Sequence, residues 1–151
     1  MKRSVKIFLS FPLLGLLVLI TGAAYAEDFR SVINDCWKDK SHVEMSACVV
    51  SLAQKSSKDL GSLEQELTTK IQNEGEEPRY IQSMKDTFVI GERSFKVYRT
   101  HQCNFVASLA KGGNSAHDLG TACMYQLNSE RIKQLKDIEE GWLITESKES
   151  K

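Results

Sequence analysis

The stretch MSACVVSLAQKSSKDLGSLEQELTTKI, Met45–Ile71, decides the fold. Met45, Val49, Ala53, Ser56, Leu60, Leu63, Leu67 and Ile71 recur at steps of three and four, with Cys48 and Leu52 on the same stripe. That spacing writes one apolar face along a helix and excludes a strand, whose period is two. Just upstream, Ser41 and Glu44 have the S-x-x-E form in which a hydroxyl and a carboxylate satisfy each other's free backbone donors, so the helix starts there. Gly61 is its weak point, worth about 1 kcal/mol against alanine in a helix interior.

Outward from this helix the same period continues. Phe29, Val32, Ile33, Cys36 and Trp37 predict a short helix that ends in the polar Lys38–Ser41. Gln72–Glu77 is a polar turn, and Pro78 suits the first position of a third helix, where its missing N–H costs nothing. That helix is expected to face inward with Ile81, Met84, Phe88, Gly91, Phe95, Tyr98, Gln102, Phe105 and Leu109. The only weak strand signal is Asp86–Ile90. Lys111–Asp118, with two glycines, reads as a loop. A last segment is expected over Leu119–Ile138, broken near Asn128, which would cap its second half, and ended by Gly141. The expected fold is all-α: an elongated antiparallel helical hairpin with short flanking helices, stapled by two disulfides.

The N-terminus carries Lys2, Arg3 and Lys6, an apolar run from Ile7 to Ile20, and Ala24-Tyr25-Ala26, the pattern of a secretory signal peptide. The expected organisation is a signal peptide over 1–26, one helical domain over 27–145 and a charged tail over 146–151, with no membrane anchor after cleavage. Removing 1–26 takes three of the 20 basic residues and none of the 20 acidic ones, leaving a net charge of −3. Nucleic acid, which needs clustered positive charge, is not an expected partner.

All four cysteines, Cys36, Cys48, Cys103 and Cys123, lie in the exported part, and an even count there reads as two disulfides. Intervals of 12, 55 and 20 residues do not make the close pairs of a thiolate zinc site. Three pairings are open; Cys36–Cys48 with Cys103–Cys123 is preferred because each pair flanks a turn between two helices. No catalytic motif is present: no G-x-S-x-G, no H-E-x-x-H, no phosphate-binding glycine loop. His42, His101 and His117 lack a second ligand at metal spacing, and Glu74, Glu76 and Glu77 sit in a solvated turn. No enzyme activity, metal or cofactor is therefore expected. Phe88, Phe95, Tyr98, Phe105, Trp37 and Tyr125 are read as core, and Arg99 and Arg131 as partners of carboxylates between helices.

Phe95-x-x-Tyr98-Arg99-x-x-x-Cys103, then Gly112-Gly113, Cys123-x-x-x-Leu127 and Arg131-x-x-x-Leu135 resembles the family of LprI-type lysozyme inhibitor N-terminal domains. Cys36 and Cys48, with Met45 between them, look like that family's first cysteine pair. Phe95 stands where tryptophan is usual, Thr100 where an acid often follows the arginine, and Asn128 where threonine usually stands. The resemblance implies an exported, stapled helical protein of the bacterial periplasm or exterior, with lysozyme or another cell-wall hydrolase as protein partner. It brings no inhibitory residues. The polar loop Lys111, Gly112, Gly113, Asn114 and Ser115, braced by the second cysteine pair, is the expected partner-binding element, and an envelope adaptor docking through a helical face or Trp142-Leu143-Ile144 is the competing reading.

Overall fold

The computed structural model describes residues 28–142, so the signal-peptide and tail readings, and Leu143 and Ile144 of the apolar triplet that begins at Trp142, fall outside it. Four helices follow one another: α1 (Asp28–Trp37), α2 (His42–Asn73), α3 (Pro78–Ser108) and α4 (Ala116–Trp142). There is no strand among the described residues, and Asp86–Ile90 is helical. The disulfides are Cys36–Cys48 and Cys103–Cys123, with Cα separations of 5.7 and 5.4 Å.

α1 ends where Asp39 takes a left-handed conformation and the Lys40 N–H bonds the Trp37 carbonyl. Ser41 then opens α2 as predicted: its hydroxyl accepts from the Glu44 N–H, and Glu44 Oε2 accepts from the Ser41 N–H at 2.9 Å. The expected stripe of α2 is its buried face, from Met45 and Val49 to Leu67 and Ile71. A helix of 31 or 32 residues is about 45 Å long. The turn after Asn73 sends α3 back antiparallel to α2, with Pro78 at its start.

α4 is where sequence and structure part. It runs unbroken for 27 residues, and Asn128 lies in its middle, fully buried, not at a cap. Gly141 lies inside it. The expected antiparallel hairpin of α2 and α3 is present; the partners of α4 place it parallel to α2 and antiparallel to α3, so it packs along the hairpin as a third long helix, with α1 laid across one end. Leu135 joins Leu60, Leu63 and Leu67 in one core cluster, and Val32, Cys36, Met45, Val49 and Ala122 make another beneath α1. Gly120 allows the close approach near the second disulfide, since a Cβ there would stand 3.2 Å from Ala107 Cβ.

Asn128 is held by three groups. Its Nδ2 donates to Ser56 Oγ at 3.1 Å and Ser57 Oγ at 3.0 Å on α2, and its Oδ1 accepts from Arg99 on α3. One turn along, Arg131 donates from Nε and Nη2 to Glu92 Oε1 on α3. The Phe95 ring lies between the two guanidinium groups, each 5.7 Å from its centroid. The expected structural pairing of Arg99 and Arg131 is thus realised, though Arg99 meets an amide and not a carboxylate.

These contacts explain a correction on α3. Phe88, Glu92, Phe95, Arg99, Cys103 and Val106 form its inner face, which displaces the expected Gly91, Tyr98, Phe105 and Leu109 outward; Tyr98 is 54% exposed and Phe105 59%. Two charged side chains occupy inner positions because α4 supplies their partners. An apolar stripe drawn through the aromatics alone therefore points the wrong way. Trp37 is likewise exposed, not core.

Arg131→Met is expected to lower the unfolding free energy by about 3 kcal/mol, because it strands the buried Glu92 carboxylate; urea denaturation of the oxidised protein measures it. Glu44 is held below its ordinary value of 4.5, first by the Ser41 hydroxyl and then by the Ser41 backbone N–H. Its contribution is present in full above the unfolded value and is lost as pH falls through the folded one. Glu44→Gln is expected to lower the melting temperature at neutral pH, the difference closing in the window below 4.5.

Candidate functional site

Both disulfides brace the same end of the bundle. There α1, the start of α2, the loop after α3 and the first turn of α4 border an open cavity of about 520 Å³. Trp37, His42, Asn114, Ser115 and Asp118 line it, with Arg30, Ile33 and Asn34 from α1. The volume lies within the range of small-ligand and side-chain pockets, roughly 300–1,000 Å³.

The floor is Asp118, 2% exposed, in the first turn of α4, where the helix dipole favours a carboxylate. Its Oδ2 is 3.0 Å from His42 Nε2, and the imidazole itself is half exposed at the rim. The Trp37 indole meets the His42 ring edge-on, with centroids 6.1 Å apart. Trp37 keeps 49% of its surface exposed, an amphipathic side chain offered to whatever enters.

The wall from the loop is stiff for local reasons. Successive N–H groups of Leu109, Ala110 and Lys111 bond carbonyls three residues back, Gly113 bonds Ala110, and Ala116 bonds Gly113. Lys111 and Gly112 both have positive φ, 51° and 78°, and Gly112 takes the more extreme one because it carries no Cβ. Of the expected binding loop, Asn114 and Ser115 line the cavity, while Lys111, Gly112 and Gly113 shape the loop and are exposed.

Of the motif residues, Phe95, Arg99 and Arg131 build the mid-bundle network, Leu127 packs beside the Cys103–Cys123 cluster, and Leu135 is core. Tyr98 alone stands on the surface. Trp37, His42 and Asp118 were not predicted as a site. The capping box around His42 was legible, but nothing local ties it to an aspartate 76 residues away. The described residues hold no group of three or more His, Cys, Asp or Glu side chains arranged around a metal position.

A family model described as Lysozyme inhibitor LprI matches residues 35–135, from just before the first cysteine to Leu135. The chain belongs to the LprI family. No curated protein and no solved structure matches it. The LprI match takes in both disulfides, the buried network, the loop and seven of the ten residues that line the pocket, and leaves out Arg30, Ile33 and Asn34. The family is one of inhibitors, so its named role needs a shaped surface and not a catalytic group.

Replacing Cys103 and Cys123 together by alanine is expected to cost about 3 kcal/mol, as for any loop of this length. The Gly113 and Ala116 amides, which donate to Ala110 and Gly113, should at the same time lose hydrogen-exchange protection before those of Leu60 and Leu63 do, because the loop is released while the core cluster is untouched.

Proposed function

We propose that this protein is exported and binds a lysozyme-type cell-wall hydrolase, inhibiting it through the disulfide-braced end. The observation that carries the reading is the exposed Trp37 beside a hydrogen-bonded loop within a chain of the LprI family. A stiff surface pays little ordering entropy on association, and a half-buried tryptophan is the side chain that most often dominates an interface. The expected mature charge of −3 steers the chain toward a basic enzyme. Among the described residues no helix is long and apolar enough to cross a membrane.

A second reading, an adaptor of the cell envelope, has its own observation. Ile90, Val97, Tyr98, Phe105 and Leu109 are all more than half exposed along α3. A face of this kind suits protein contact without inhibition.

Titrating oxidised Glu27–Lys151 into a c-type lysozyme acting on cell walls separates the two. Stoichiometric inhibition, lost on reduction and weakened at least about tenfold by Trp37→Ala with an unchanged melting temperature, is the expected result. No inhibition at about 10 μM removes the reading for that enzyme and leaves the adaptor.

A further inference from the structure

Seven charged side chains, from Arg79 to Arg99, lie along α3. At about 100° per residue, all of them fall within one half of the helix circumference. That half faces α4 and a groove of about 740 Å³ between α2 and α3, where Lys96 pairs with Glu64, and Glu92 beneath it pairs with Arg131. The opposite half carries no Lys, Arg, Asp or Glu along the whole of α3. In a chain that is 26% charged, a helix face open to solvent would ordinarily hold several such residues.

What the uncharged half carries instead is apolar. Tyr80, Tyr98, Phe105 and Leu109 are each more than half exposed on it, and Ile90, also exposed, stands at its edge. Between the two tyrosines Thr87, Gly91 and Ser94 follow at steps of three and four, so the stripe is bulky at both ends and small in the middle. Gly91 is exposed, and a Cβ built there meets nothing within 4 Å, so no close approach inside the molecule requires glycine at that position. A glycine there weakens the helix and leaves room for a side chain from outside.

We propose that two copies of this chain pair antiparallel through the uncharged stripe of α3, about a twofold axis at the Ser94–Phe95 step. Positions 91 and 98 straddle that step symmetrically, as do 84 and 105, and 80 and 109. Tyr98 of each copy then lies over Gly91 of the other, Phe105 over Met84 and Leu109 over Tyr80. A parallel pairing would set Tyr98 on Tyr98 and leave a gap at Gly91. The stripe is thus complementary to itself, which is the requirement of a twofold interface. Its lack of charge points the same way, since interfaces between identical chains are more apolar than those between different proteins, whose recognition draws on complementary charge. With aromatic side chains burying roughly 150–250 Å² each when fully covered, the exposed parts of these five residues amount to about 500 Å² per copy and about 1,000 Å² per pair, where specific interfaces begin.

The pairing goes beyond the hydrolase reading and does not depend on it, and it gives the face used by the adaptor reading a different occupant. α1 packs on α2 and α4, so the pair leaves Trp37 and the disulfide-braced ends uncovered, at opposite ends. A chain that binds a hydrolase there would be bivalent.

Sedimentation equilibrium of oxidised Glu27–Lys151 between about 5 and 200 μM is the test, and twice the chain mass at the upper end, with a micromolar dissociation constant, is expected. Tyr98→Glu and Gly91→Glu each bring a charge into the stripe at an exposed position, and each should weaken pairing at least about tenfold with helical circular dichroism intact. Val89→Glu, on the groove side of the same helix, should leave the mass unchanged. In the unaltered protein the amide shifts of Gly91, Tyr98 and Phe105 should move first with concentration, which reads the contact without any substitution. A single-chain mass up to about 200 μM overturns the proposal and leaves the face to a partner of different sequence. A dimer that survives both Tyr98→Glu and Gly91→Glu, or that Val89→Glu disrupts as much as they do, overturns it too, because the contact then lies elsewhere. No hydrolase is present in these measurements, so failure of the inhibitor reading would not alter them.

Discussion

Asn128 is the group on which the rest of the bundle depends. A fully buried amide inside an apolar seam is stable only where its partners are in register. Here those partners come from two other helices, Ser56 and Ser57 on α2 and Arg99 on α3. Sliding α4 by one turn would leave the amide, the guanidinium and the neighbouring Glu92–Arg131 pair all without partners. An apolar core tolerates such slippage more easily than a polar network does. The register set here places Asp118 under His42 at one end and Glu139 against Lys70 at the other.

The two ends of the bundle are held differently. At the α1 end two covalent links, a capping box and a run of tight turns fix the backbone around a cavity. At the other end Lys70 is shared between Glu139 and Glu66, and these two hydrogen bonds raise its pKa above the ordinary lysine value. That group is solvent-exposed, so its ion pairs are screened and contribute little. The bundle is thus stiffest where the candidate hydrolase-binding surface lies, as suits a binder whose affinity rests on a preformed shape.

The long outer side of α3 has a consequence for how the family's motif is understood. In Phe95-x-x-Tyr98-Arg99-x-x-x-Cys103 the phenylalanine, arginine and cysteine face inward and hold the fold, while the tyrosine faces out. One motif therefore mixes residues that serve stability with one available for contact. Spacing along the helix explains it: 95, 99 and 103 share a face, and 98 falls about a quarter-turn away.

Much of this was legible along the chain, and the limits were physical. Helix identity, the Ser41 capping box, the buried stripe of α2, the turn before Pro78 and the loop after α3 follow from local periodicity and capping chemistry, which act within a few residues. An even count of four cysteines, in a chain whose N-terminus reads as a signal peptide, implied two disulfides, but their pairing was a preference until the helices were in place. Only the tertiary structure decided that α4 is one helix. Asn128 looks like a cap by its own chemistry, and it is tolerated mid-helix because Ser56, Ser57 and Arg99 satisfy it from afar. The same holds for the outward turn of Tyr98 and Phe105, for the Asp118–His42 contact and for the groove over Glu64 and Glu92: each depends on groups brought together from distant parts of the chain, and local periodicity carries no record of such meetings.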